Sequence, residues 1–271
     1  MKHIHSILIF AALLVGCGQG RTVHQSTSEA YPKEDGVIRL VQYNVGVFSK
    51  EIDNSIPMIA EMLREMGVDV VSVNELDSCN TRHSNYQLAD FAEALGGWNF
   101  RYSRAMPYRE GAYGIGIAVP DKIIDSFTIS LPKGEGTEPR TCCVVETKEY
   151  VFASTHLDFR SEPTMVMQAS IISSALKEKY GSVRKPVFLC GDMNSTPESD
   201  VLAELAKEWD VLSVAKPTIP ANDPRSCIDY ILALRNGAEY KVVGTDVPTV
   251  FKGGDVTVAS DHLPVFVDVR L

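Results

Sequence analysis

Four strand-like runs follow one another with no helix between them, at residues 113–119, 123–131, 140–146 and 150–155, joined only by short turns. Elsewhere the chain alternates strand and helix. Runs at 37–43 and 69–73 flank a helical stretch capped by Asn54 or Ser55, with Pro57 in its first turn, Ile59, Leu63 and Met66 on one face, and Gly67 at its end. Residues 86–95 read as a helix that stops at Gly96-Gly97, and 163–180 as another carrying Met167, Ile171, Ile172 and Leu176. The apolar run 187–190, a helix at 199–208, and strands at 227–234, 240–245 and 263–269 complete the pattern. This mixture of successions predicts two sheets flanked by helices, within one α/β domain that has no central linker. Residues 217–224, rich in proline, are expected to form a loop facing a substrate.

A chain of 271 residues with 45% hydrophobic and 23% charged residues buries a sizeable core without staples. Its formal net charge of −9 argues against a general polyanion-binding surface, because non-specific nucleic-acid binding runs on basic patches. It leaves open a nucleic-acid substrate whose phosphate is neutralised locally by a metal.

The first residues have a different purpose. Lys2 supplies a positive start, and residues 7–15 form an apolar stretch too short to span a bilayer as a mature helix. Residues 1–16 are therefore expected to be a signal peptide. The junction Leu14-Val15-Gly16-Cys17 resembles the lipobox of bacterial lipoproteins, which implies cleavage before Cys17, its lipidation, and a cell-envelope location. Residues 17–35 read as a flexible tether and 36–271 as the folded domain. Five cysteines remain, Cys79, Cys142, Cys143, Cys190 and Cys227, an odd number without zinc-ligand spacing. Cys142 and Cys143 are adjacent and should point to opposite faces of a strand, with Cys190 as a small core residue.

Chemistry-bearing side chains sit where strands become loops, a placement associated with function. Asn44 follows the first strand and Glu75 the second. His156 follows the run 150–155, and Gly191-Asp192-Met193-Asn194 follows the apolar run 187–190. Asp229 lies in Cys227-Ile228-Asp229-Tyr230-Ile231, and Ser260-Asp261-His262 precedes the last strand. Carboxylates, imidazoles and amides arriving from distant parts of a chain suit metal-assisted hydrolysis of a phosphate ester. Arg140 and Arg160 could clamp a phosphate, though either could equally lie at the surface.

This set, in this order, resembles the endonuclease/exonuclease/phosphatase superfamily over residues 37–271. The resemblance implies a four-layer, DNase I-like α/β sandwich, with two mixed sheets face to face and helices outside. It implies divalent-metal-dependent phosphoester hydrolysis by an enzyme using Mg²⁺, or Mn²⁺ or Ca²⁺ in its place. Asn44, Glu75 and Asp261 match its metal-site residues. Asp192 matches the aspartate that orients or deprotonates the attacking water, and Asn194 an amide donor to the phosphate. His156 and His262 match its active-site histidines, and Asp229 the carboxylate that orients His262 and raises its pKa. Tyr113 resembles a residue bordering the site, with core packing as its expected role. Gly46 stands where AP endonucleases carry an aspartate, and His156 where they carry a tyrosine. Both departures, and the expected envelope location, turn the reading away from abasic-site repair. The expectation is a monomeric phosphodiesterase or phosphatase attached to a membrane through Cys17. An extracellular endonuclease and a non-catalytic binding lipoprotein on the same scaffold are the alternatives.

Overall fold

The computed structural model describes residues 30–134 and 137–271; the expected signal peptide and Cys17 lie outside the described residues. The first sheet is built from β1 (Ile38–Asn44), β2 (Val70–Ser78), β3 (Asn99–Tyr108), β4 (Gly111–Val119), and two later strands. The second comprises β5 (Asp125–Leu131), β6 (Arg140–Glu146), β7 (Val151–His156), β8 (Val187–Asp192), β9 (Trp209–Val211) and β10 (Asp229–Leu234). The later strands β11 (Lys241–Asp246) and β12 (Val265–Arg270) return to the first sheet. The strand orders are β11-β12-β1-β2-β4-β3 and β5-β6-β7-β8-β10-β9. Each sheet holds one parallel pair, β1 with β2 and β7 with β8, among antiparallel neighbours. The expected pair of mixed sheets is what the chain forms.

Helices α1 (Ile56–Met66) and α2 (Gln87–Ala94) cover the first sheet, and α3 (Glu162–Tyr180) and α4 (Asp200–Leu205) the second; a short α5 (Val256–Ala259) precedes β12. Sequence signals fix the ends. Asn54 Oδ1 accepts the amide of Ile56 at 3.1 Å, and Gly67, at φ 67°, closes α1 through its own amide. Ser161 caps α3, whose buried stripe is Met165, Ala169, Ile172, Leu176 and Tyr180. Met167, expected in that stripe, is exposed instead.

One core fills the space between the sheets and beneath α1 and α2, where Tyr43, Val71 and Val73 meet Cys143, Phe152, Phe188 and Cys190. A second core lies under α3 and α4 and holds Cys142 and Leu189. Cys142 and Cys143 do point to opposite faces, and Cys190 is a core residue. Burial raises the thiol pKa of all three, which marks them as packing groups.

Two expectations about strands need correction. β2 continues through Asn74 and Glu75 instead of ending there, because a bulge between Val73 and Leu76 absorbs Glu75 at φ 59°. β3 and β9 were not expected. β3 is a sheet edge interrupted by a bulge at Arg104–Met106 and by Pro107, and β9 spans three residues.

Candidate active site

Register assembles the site before any loop contributes. In the second sheet His156 pairs with Asp192, and Asp192 pairs with Asp229. These three side chains therefore form a row across neighbouring strands. In the first sheet Asn44 pairs with Asn74 at the equivalent end of β1 and β2. Both parallel pairs end together, so the two rows face each other across the sandwich. Asn44 Nδ2 closes the gap by donating to Asp192 Oδ2 at 3.0 Å. Gly191 allows the close strand approach: a Cβ there would sit 2.3 Å from the Thr155 carbonyl oxygen.

His262 enters from the segment before β12 and lies between two carboxylates. Its Nδ1 meets Asp229 Oδ2 at 2.8 Å, and its Nε2 lies 3.6 Å from Asp192 Oδ2. Burial alone would depress this imidazole, but the charges of Asp229 and Asp192, the hydrogen bond to Asp229 and the charge of Asp261 raise its pKa to about 10. The pKa of Asp192 is raised by burial and by the charge of Asp229, against the opposing influence of His262 and the bonds from Asn194 and Asn44. Asp192 and His262 compete for one proton. The imidazole, flanked by two carboxylates, holds it, so His262 is an imidazolium through the neutral range, while Asp192 ionises only above the ordinary carboxylate range. His156 behaves oppositely: burial and the positive charges of Arg140, His262 and Lys50 hold it well below the usual histidine range, hence neutral.

Beneath this row runs a buried polar network that the sequence pattern did not reveal. Asp229 is fully buried and accepts from Thr218 Oγ1 at 2.6 Å and Gln42 Nε2 at 3.1 Å, besides His262. Asn74 Oδ1 accepts from Gln42 Nε2 at 2.7 Å and from the Asp192 amide at 3.0 Å. Satisfied in this way, the anions are locked in one geometry. Thr218 also accounts for the proline-rich loop. Thr218 and Ala221 tie that loop to the site: the Thr218 carbonyl receives the Leu263 amide at 2.7 Å and the Ala221 amide bonds the Asp261 carbonyl at 2.8 Å, while Pro217, Pro220 and residues 222–224 are exposed.

Glu75 and Asp261 converge from the bulge of β2 and the loop after α5. The Lys50 ammonium lies between them, 3.8 Å from Glu75 and 3.1 Å from Asp261. Two partly exposed carboxylates meeting one cationic atom, with Asn44 Nδ2 3.3 Å from Glu75, make a hard-oxygen donor pair that suits Mg²⁺, Mn²⁺ or Ca²⁺. Asn44 Oδ1 also accepts the Gly46 amide at 3.1 Å. Asp192, Asp229 and His262 also place one ligand atom each within 4.8 Å of one another. There both ring nitrogens already face carboxylates, so an imidazolium serves where a metal could. Lys50 was not anticipated. A left-handed turn at Gly46, Val47 and Phe48 carries it there, and its stem covers Gly46, where a Cβ would fall 2.3 Å from Lys50 Cγ. An aspartate at position 46 would collide with it.

Asn194 is the expected residue whose side chain is partly diverted. Its Nδ2 donates to the Leu157 carbonyl at 3.1 Å, holding the His156 loop, while its amide bonds Asp192 Oδ1 at 2.9 Å. Asp158 caps the turn before α3 through the amides of Arg160 and Ser161. Arg140 is not a surface residue. It is buried, its Nε has no hydrogen-bond partner among the described residues, and its nearest carboxylate, Glu138, is 3.7 Å away. His156 Nδ1 is likewise buried and unpartnered. A buried guanidinium with no hydrogen-bonded carboxylate, beside a neutral imidazole, is chemically suited to an anion.

The model of the endonuclease/exonuclease/phosphatase family matches residues 41–262, from β1 to His262. The chain belongs to this family. Among solved structures, the fold is similar to a mannosyl-6-phosphatase from Bacteroides thetaiotaomicron (TM-score 0.70, 20% identity, covering 86% of this chain and 100% of that one). It is similar to an endonuclease/exonuclease/phosphatase family protein from the same organism (TM-score 0.68, 20% identity, covering 86% and 97%). The human Nocturnin catalytic domain with bound sulfate is a more distant likeness (TM-score 0.65, 17% identity, covering 88% and 95%). No curated protein matches the sequence. At these identities the structural likenesses establish the family's fold, and its chemistry here must be argued from the side chains.

Proposed function

We propose that this family member is a divalent-metal-dependent hydrolase of phosphate esters. The observation that carries the reading is the line Asp192–His262–Asp229 set opposite the Glu75–Asp261 pair, with Asn44 touching both groups. Glu75 and Asp261 would hold the metal, which when bound supplies Lewis-acid polarisation of the phosphate. Asp192, ionised and fixed by Asn44 and Asn194, orients the attacking water and takes up its proton. An ordinary aspartate has a pKa of ~3.9, so the upward shift of Asp192 improves it as a base. The His262 imidazolium donates to a phosphoryl oxygen as charge develops. Neutral His156 turns Nε2 towards Asp192 at 3.5 Å and fixes the same water, and Arg140 receives a second phosphoryl oxygen.

In the purified protein, EDTA is expected to lower turnover of phosphoesters by on the order of a hundredfold or more, with Mg²⁺ restoring it. EDTA-insensitive hydrolysis overturns metal dependence, and no turnover on any ester favours a binding role. We further place the enzyme in the cell envelope, anchored through lipidated Cys17, a reading supported by the charged start and the lipobox-like junction alone. Cys17→Ser should move it from the membrane to the soluble fraction on cell fractionation; an unchanged distribution rejects the anchor.

A further inference from the structure

Lys50 has no part in the reaction above, yet it stands between the two carboxylates that the reaction needs for its metal. Its ammonium is 3.1 Å from Asp261 Oδ2 and 3.8 Å from Glu75 Oε2. Partial burial works against its charge, but Glu75 and Asp261 hold its pKa above the ordinary lysine value, so it is charged at neutral pH. The root of the side chain is fixed. Gln87 Nε2 donates to the Val47 carbonyl at 2.6 Å, and the Ser55 amide to the Phe48 carbonyl at 2.8 Å. Ser49 Oγ meets His83 Nε2 at 3.0 Å, and His83 Nδ1 meets the buried carboxylate of Asp77 at 2.6 Å. The tip is freer, with 38% of the side chain exposed. A flexible four-carbon arm can therefore swing while the loop that carries it stays in place.

An ammonium and a divalent cation cannot share one gap between two carboxylates. Both need the same oxygens, and at contact distance their charges repel. Lys50 has to vacate the gap for a metal to enter it, and its retreat is constrained. Towards β2 it meets Arg82, whose positive charge opposes it and whose guanidinium is committed to Asp77 through bonds of 2.7 and 2.8 Å. Glu75 and Asp261 are the carboxylates it pairs with among the described residues, and a metal would take both. On the remaining side lies the His156–Arg140 corner. His156, kept neutral first by burial, also feels the charges of Arg140 and Lys50, so the ammonium already faces the place where the phosphoryl oxygens are assigned. A phosphate arriving there is the anion that can pair with it again.

We propose that Lys50 is a tethered cation that holds the Glu75–Asp261 gap until a metal displaces it, and that the displaced ammonium then pairs with the substrate phosphate. The inference rests on the phosphoesterase reading above. Two binding measurements on the intact protein test it without turnover: Mn²⁺ titration followed by the EPR signal of the free ion, and calorimetric titration of inorganic phosphate into the Mn²⁺-loaded protein. Lys50→Met removes the charge and keeps an unbranched stem over Gly46. It should bind Mn²⁺ about fivefold tighter or more, because two partly exposed ion pairs no longer have to break and one repelling charge is gone. It should bind phosphate about fivefold more weakly or worse, having lost a charge-assisted partner. Lys122→Met, beyond the far end of β4, changes the net charge equally and should keep both constants within about twofold of wild type. Melting temperatures near wild type with Mn²⁺ bound show that both variants are folded. If Lys50→Met binds Mn²⁺ within about twofold of wild type, or gains no more than Lys122→Met, the exchange is overturned and the hydrolase reading stands. Tighter Mn²⁺ binding with unchanged phosphate binding overturns the hand-over, the ammonium then turning to solvent. A wild type that binds no Mn²⁺ overturns the metal site and the exchange together.

Discussion

Asp192→Asn should lower kcat/KM on the preferred phosphoester by on the order of 10²- to 10³-fold, the usual cost of removing a preorganised group that acts on the developing transition state. The substitution keeps the shape of the side chain and removes a buried charge. Asp192 is about 1% exposed, accepts from Asn44 Nδ2 and the Asn194 amide, and lies within 3.6 Å of His262 Nε2. None of these contacts is needed to fold β8, whose ladder with β7 and β10 is made by backbone groups. Thermal denaturation should show a slightly lower melting temperature, because the new NH2 must face either the Asn44 amide or the Asn194 N–H, a cost partly offset by removal of a desolvated anion. His262→Gln should lose a comparable factor, and the double variant little more than either single one, since the two side chains act as a unit. Wild-type rates in both single variants would eliminate the proposed roles. A multiplicative double variant would show that Asp192 and His262 act independently, contrary to the shared-proton geometry.

The motifs at strand ends were legible because parallel strands in a two-sheet sandwich finish on the same edge. Once runs 37–43, 69–73, 150–155 and 187–190 were recognised, the residues just beyond them had to be neighbours. What stayed hidden was whatever depended on a face, a bulge or a turn. Gln42 and Asn74 lie inside buried strands, where a polar residue in an apolar run gives no sign of the partner it will meet across the sandwich. Lys50 looks like an ordinary solvated lysine, and only the left-handed turn at 46–48 delivers it to Glu75 and Asp261. That turn is held by the Gln87 side chain on the Val47 carbonyl, a contact forty residues apart in sequence. Arg140 begins a strand and so resembles a solvent-facing charge, yet it is buried, with the Phe159 ring centre 5.7 Å from its guanidinium. His83 sits in a polar loop, and its bond to Asp77 depends on where β2 turns after the bulge at Glu75.

The pH profile offers the second large effect, through Asp229. In wild type kcat/KM should rise as Asp192 ionises, at a pH above the ordinary carboxylate range, and fall as His262 loses its proton near pH 10. Asp229→Asn preserves size and an acceptor for Thr218 and His262 but deletes the charge that does most to offset burial of the imidazole. The His262 pKa should then fall towards or below its ordinary value of ~6.5, and the alkaline limb should move down with it. At pH 8 the variant should have lost most of its activity, while at pH 6 it should keep a much larger share. Stability follows the same group. A histidine whose folded pKa lies above its unfolded value stabilises the fold fully below pH ~6.5, and that contribution is lost as pH rises through about 10. The difference in unfolding free energy between wild type and variant should accordingly be greatest at pH 6 and narrow towards pH 10, as read from denaturant titrations at each pH. An alkaline limb that does not move would show that Asp229 only positions the ring and does not set its charge.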